Sequence, residues 1–175
     1  MRVWALGMHI RPVQPGDFES IAALNNWFIA HTAVHFGTAP VPAAELRGAW
    51  EESRERYPFL VGEVDGRFAG FAKAGVWRER AAYRWTTETS IYMEAWTRGK
   101  GLGTRLYLSL LDELRARGFE SAIGGATLPN DASARLHERC GFVSVGRVLR
   151  AGYKFGAWHD VGFWQVMLGD GGTRG

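Results

Sequence analysis

Apolar and polar positions alternate in some stretches of this chain and recur every three to four residues in others. The two periods mark strands and helices. HIRPVQ, from His9, predicts a short strand. Pro15, Gly16 and Asp17 then open a helix, with Asp17 as N-cap and Phe18, Ile21, Leu24 and Phe28 along one face. A second amphipathic helix, PAAELRGAWEESRERY, begins near Pro42. PFLVGEV and RFAGFAKAGVW flank Asp65-Gly66, the strongest short hairpin signal in the chain. YRWTTETSIYM predicts a strand with Trp85, Thr87, Thr89 and Ile91 on one face and Thr86, Glu88, Ser90 and Tyr92 on the other. GTRLYLSLLDELRARG predicts a helix ended by Gly118, and FESAIGGATL a strand. NDASARLHERC predicts a helix capped by Asn130 or Asp131 and stopped at Gly141. FVSVGRVLRAG and AWHDVGFWQVML are the closing strands.

The order β-α-α-β-β-β-α-β-α-β-β predicts an α/β (α+β) fold with a mixed sheet of about seven strands and four helices. Neighbouring hairpins make most pairings antiparallel, while the crossover from 84 to 127 demands one parallel pair of right-handed connection. No repeat of 20 to 50 residues divides the chain. One domain is expected over 9–168, with 1–8 as an N-terminal extension and the glycine-rich 169–175 as a flexible tail.

Composition narrows the function. With 175 residues and 46% hydrophobic content the chain can bury a sizeable core. No apolar run reaches a membrane span, and the opening MRVWALGMHIRPV lacks the h-region of a signal peptide. The lone Cys140 forms no internal disulfide, which suits a reducing cytoplasm. The net charge of +3 and pI near 9.3 raise nucleic acid as a partner. The basic residues are scattered among acids, as in EESRERY, which excludes an electrostatic stripe for it.

The chemistry concentrates at TRGKGLGT, between a strand and a helix. A Walker loop needs G-x-x-x-x-G-K-[ST], which is absent, and G-x-G-x-x-G started at Gly99 and Gly101 meets Thr104 in third place. R-x-x-G-x-G, met by Arg98, Gly101 and Gly103, fits. Glycines bring backbone close to a ligand, and first-turn amides lack internal partners, so the turn suits a pyrophosphate.

That unit, together with PNDASARLHERCGF, resembles two motifs of the GCN5-related N-acetyltransferases (GNAT). ERYPFLVGEVDGRFAGFA, AYRWTTETSIYM and AGYKFGAWHDVGFWQ are similar to the phosphinothricin and methionine sulfoximine N-acetyltransferase branch, over roughly residues 9 to 168. The resemblance implies a sheet splayed in its middle and acetyl-coenzyme A (acetyl-CoA) as co-substrate, with no metal. It implies transfer to the α-amine of a small amino acid analogue, and a homodimer. The aromatic-rich last strand independently suggests an interface. Rival readings are a GNAT acting on a protein N-terminus or aminoglycoside, and a non-catalytic CoA-binding regulator.

Thioester aminolysis needs a base, because an α-amine of pKa about 8 is mostly protonated at neutral pH. Glu88, isolated in an apolar strand, is the candidate base. His137 is the second titrating candidate, as acid or relay. For acetyl-CoA the resemblance implies the backbone of Ile91, Tyr92 and Met93 for pantetheine. It implies Arg98, Gly99, Lys100, Gly101, Leu102, Gly103 and Thr104 for pyrophosphate, and Asn130 with Ser133 along the arm. Arg80 and Tyr83, with Trp77 as an apolar wall, are the substrate-side candidates, and Arg84, Lys154 and His159 are secondary. Tyr92 and Tyr107 are possible proton donors to the thiolate, with Tyr107 better read as packing. Cys140 reads as core.

Overall fold

A computed structural model describes residues 7–172. Seven strands form one sheet, β1 (Met8–Pro12), β2 (Phe59–Val64), β3 (Arg67–Val76), β4 (Thr86–Met93), β5 (Ser121–Leu128), β6 (Val143–Lys154) and β7 (Ala157–Met167). Four α-helices flank it: α1 (Phe18–His31), α2 (Ala43–Ser53), α3 (Leu102–Ala116) and α4 (Asp131–Arg139). The spatial order is β1-β2-β3-β4-β5-β7-β6, and only β4 and β5 run parallel. The predicted element order and mixed sheet are those observed.

The period-2 pattern explains the two cores. On one face Leu60, Ala69, Ala72 and Ala122 pack under Leu106, Leu110 and Leu114 of α3. On the other, Val61 and Phe71 meet Phe18, Ile21 and Leu24 of α1, with Leu46 and Trp50 of α2 at the margin. Asp65 and Gly66 take φ of 51° and 74°, the pair of positive values a two-residue type I′ turn requires. Gly118, at φ 76°, follows the last turn of α3 as predicted.

Some details differ from the sequence expectations. The sheet starts at Met8, one residue before the expected strand, and residues 1–6 and 173–175 lie outside the described set. Within the glycine tail, Gly171 N–H donates to Glu120 Oε1 at 2.7 Å. Asp17 precedes α1 but caps nothing there. Its carboxylate binds the Arg11 guanidinium at 2.7 and 2.8 Å and accepts the Gln14 N–H at 2.7 Å, ending a short 3-10 turn. Helix α2 stops at Ser53, short of the predicted Tyr57, because Pro58 bars helical conformation just before it. Exposed apolar side chains concentrate on β6 more than on β7: Val143, Val145, Val148 and Leu149 are exposed, whereas Trp164 and Val166 of β7 are core. The cause is position, since β7 lies between β5 and β6 while β6 is the sheet edge.

Candidate active site

Strands β4 and β5 pair only from Thr86 with Ser121 to Thr89 with Gly124. Beyond that, β5 continues to Leu128 beside β7, and Ser90 to Met93 keep β3 as their one partner. The parting leaves one edge of Ser90–Met93 without a strand. Thr89, Ser90, Ile91, Tyr92, Gly125, Ala126, Asn130, Ser133, Tyr107 and His137 line the gap.

At one end of the split lies the glycine turn. Gly99 and Gly101 both hold φ 73°, and Gly101 is the residue before α3. A β-carbon there would be strained, so glycine is what lets the chain turn into the helix. The N–H groups of Leu102, Gly103 and Thr104 occupy the first turn, where no helical carbonyl can reach them, and the helix dipole adds positive potential. Arg98 and Lys100 are exposed beside it, with Lys100 Nζ 5.5 Å from the Trp96 ring centroid. Asn130 caps α4 by accepting the Ser133 N–H at 3.1 Å, which leaves its amide N–H groups to donate elsewhere.

The floor of the split is a buried polar chain. His137 Nδ1 lies 2.8 Å from the Ser133 carbonyl, which can only accept, so Nδ1 carries a proton. Nε2 faces the Tyr107 hydroxyl at 3.3 Å; that hydroxyl meets Thr89 Oγ1 at 2.7 Å, and Thr89 reaches the Ile123 carbonyl at 3.1 Å. Burial lowers the His137 pKa against the Ser133 hydrogen bond, so the ring is neutral at neutral pH. A neutral ring leaves three protons for these four contacts, and one arriving proton would complete them all. The His137 ring stacks on Trp164 with 5.1 Å between centroids. A β-carbon at Gly124 would run into Nε2, which fixes glycine at that position. Tyr107 is thus packed, as expected, and also hydrogen-bonded. Cys140 is buried, with its thiol pushed up to about 11 by burial, and reads as core.

Glu88 lies on the opposite face of β4 from Thr87 and Thr89, as the alternation requires. It faces an open cleft of about 410 Å³ that shares Ser90, Tyr92, Gly125 and Ala126 with the split. Its side chain is exposed to that cleft, and the partial burial left to it raises its pKa, which Lys73 opposes. Tyr92, pushed up to about 12 by burial and then by Glu88, is a neutral hydroxyl beside it. Val34, His35 and Phe36 from the α1–α2 loop wall the cleft, a contribution without periodic signal in the sequence.

The substrate-side candidates sit farther out. Trp77 touches Phe163, a cleft residue, edge-on at 5.8 Å between centroids. Arg80 and Tyr83 belong to the exposed 3-10 turn between β3 and β4 and are absent from the cleft lining. Arg84 stacks on Trp85, and His159 Nε2 lies 2.9 Å from the Lys154 carbonyl. Lys154 spends its ammonium on three backbone carbonyls, which removes it as a substrate ligand. Lys73 was missed, although its place two residues from Phe71 in an alternating strand marks the same face.

Comparisons with known proteins meet this geometry. Residues 21–142 match the family described as "Acetyltransferase (GNAT) family". The chain belongs to the GNAT acetyltransferase family. It is 43% identical to a phosphinothricin N-acetyltransferase of Streptomyces viridochromogenes, over 90% of this chain and 86% of that one. It is 37% identical to an L-methionine sulfoximine/L-methionine sulfone acetyltransferase of Salmonella typhimurium, over 92% of this chain and 95% of the other. A GNAT superfamily phosphinothricin acetyltransferase from Sinorhizobium meliloti, solved in complex with acetyl-CoA, superposes with a TM-score of 0.88 at 30% identity, covering 93% and 89% of the two chains. As a GNAT enzyme the chain draws its acetyl group from acetyl-CoA. The fit is physical: a turn with two positive-φ glycines leads into α3, Ser90–Met93 leave a strand edge open, and the cleft that Glu88 lines shares Ser90, Tyr92, Gly125 and Ala126 with that gap. Among the described residues, no helix is long and apolar enough to cross a membrane.

Proposed function

We propose that this enzyme acetylates the α-amine of a small amino acid analogue, phosphinothricin or methionine sulfoximine and sulfone being the compounds its relatives' names point to. Acetyl passes directly within a ternary complex. What carries this reading is the continuity of the β4–β5 split with the cleft that Glu88 faces. The amides of Gly99 to Thr104, with Arg98 and Lys100, hold the pyrophosphate. The open edge at Ile91, Tyr92 and Met93 hydrogen-bonds the pantetheine arm, and Asn130 and Ser133 flank it. Acetyl-CoA supplies an activated thioester, so the protein needs no covalent intermediate. Glu88 accepts the proton of the ammonium and frees the amine to attack. The Tyr107 hydroxyl, which lines the same slot beside His137, gives its proton to the departing thiolate, and the second proton the amine sheds as the amide forms restores it. Trp77, Arg80 and Tyr83 shape the outer approach of the substrate.

The test is release of free thiol from acetyl-CoA across a panel of amines. Turnover of phosphinothricin or methionine sulfoximine, with aminoglycosides and N-terminal peptides inert, is the expected result. Preference for a peptide or aminoglycoside overturns the substrate assignment. A protein that binds CoA and turns over nothing is the non-catalytic regulator.

The exposed apolar residues of β6, joined by Tyr153, Phe155 and Trp158 at its hairpin with β7, suit a homodimer. A cytoplasmic setting accords with a lone buried thiol. Sedimentation equilibrium at micromolar concentration is expected to give twice the 19.5 kDa chain mass. A stable monomer refutes the dimer.

A further inference from the structure

The cleft around Glu88 contains no arginine or lysine in its lining, yet an amino acid substrate brings a carboxylate as well as an amine. The adjoining cavity, under α1 and α2 on the same face of the sheet, does contain a cation. Lys73 lines it, together with Asn25, Trp50, Phe59 and Gly75. Gly75 is the direct cross-strand partner of Glu88, and Lys73 that of Ser90. Cross-strand partners project to one face about 5 Å apart, so Lys73 and Glu88 are diagonal neighbours there. Between them Gly75 offers bare backbone: a β-carbon there would meet nothing within 4 Å. The two side chains flank an open floor.

Two polar groups of this cavity, Lys73 and Asn25, are not otherwise engaged. Among the described residues Lys73 makes no ion pair within 4 Å and no hydrogen bond; its ammonium leans over the Phe59 ring, 6.0 Å from the centroid. Burial lowers its pKa, and the pull of Glu88 opposes the shift. Asn25 is only 7% exposed and its side-chain amide has no hydrogen-bond partner among the described residues. Neither group is sealed off from the cavity: both present unpaired donors to its open space, where a ligand with acceptor oxygens would meet them.

We propose that Lys73, with Asn25, binds the carboxylate of the amino acid whose amine faces Glu88, the substrate lying across Gly75. This rests on the amino acid reading above and adds the group that makes the carboxylate a requirement. A four-carbon stem lets the ammonium pivot from Phe59 toward the floor without moving backbone.

The experiment pairs each accepted amino acid with its decarboxylated amine, using wild type, Lys73→Met and Lys73→Arg. Wild type should prefer the amino acid. Lys73→Met should raise KM for the amino acid by about 10- to 100-fold, the size of one charge-assisted hydrogen bond. Read on the plateau above the acid limb of Glu88, which loss of Lys73 moves to higher pH for both amines alike, it should leave KM for the decarboxylated amine and for acetyl-CoA unchanged, and Lys73→Arg should restore part of the loss. If wild type acetylates amino acids and Lys73→Met matches it, Lys73 is not the carboxylate ligand and the amino acid reading stands. Equal losses on both amines show a structural role and also overturn the proposal. If wild type accepts only amines without a carboxylate, the amino acid reading and this one fall together.

Discussion

Replacing Glu88 by glutamine should lower kcat/KM for the amine by ~10²-fold or more while acetyl-CoA binds as before. The substitution keeps size and hydrogen-bonding reach and removes only the capacity to take a proton, so the loss reports that capacity. The pH profile carries a second signature. Only ionised Glu88 accepts a proton, so the rate should rise with pH through its pKa, which stands above the ordinary carboxylate range because burial outweighs Lys73. The other titrating groups on this face are Lys73, lowered by burial against the pull of Glu88, His35, lowered by burial, then by Lys154 and Lys73, and Tyr92, pushed up to about 12. None changes the sign. His35 tends to stay neutral and Tyr92 stays protonated where the limb is measured. In Glu88→Gln the acid limb should vanish along with the rate. A loss below about threefold, or an unchanged limb, removes Glu88 as the base, since general-base catalysis is worth far more than that.

What the sequence made legible, and what it hid, follows from the range of the forces involved. Alternation in TTETSIYM placed Glu88 and Thr89 on opposite faces correctly, because the two-residue period is a backbone property. The glycines at 99 and 101 announced left-handed backbone before α3, and φ of 73° at both is what they supply. His137 was recognisable as a residue type on a helix, but not its partner Tyr107, thirty positions earlier, or the bare Gly124 that gives its ring room. Such contacts depend on how α3 and α4 settle against β5. The α1–α2 loop was illegible for a similar reason: Val34, His35 and Phe36 line the cleft because of distant attachments, and nothing periodic marks them. Lys154 illustrates the limit most clearly. As a basic residue near a predicted substrate cleft it resembled an anion ligand, and the structure makes it a brace.

That brace predicts a large stability effect. Lys154, only 6% exposed, donates to the carbonyls of Ile29 at 2.6 Å, Thr32 at 2.9 Å and His35 at 2.6 Å. These are the last turn of α1 and the loop after it, where helical carbonyls have no amide partner and the dipole is negative. Lys154→Met preserves the apolar stem and strands all three acceptors. Leaving buried groups of this kind unpaired costs roughly 3–5 kcal/mol, after relaxation and partial rehydration. At this chain length that corresponds to a fall in Tm of about 6 to 20 °C, read by calorimetry or circular dichroism. The consequence for function follows from what else holds the loop. Thr127 Oγ1 donates to the Ala33 carbonyl at 2.8 Å, and the Phe36 ring packs where a side chain at Gly152 would lie. With Lys154 gone, these remaining ties must hold the wall that Val34, His35 and Phe36 form beside Glu88. KM for the amine should therefore rise even at temperatures where the variant is fully folded, while KM for acetyl-CoA, whose proposed site is on α3 and β4, should not change. A Tm within about 2 °C of wild type would show that water replaces the ammonium at little cost, and that the cleft wall does not depend on β6.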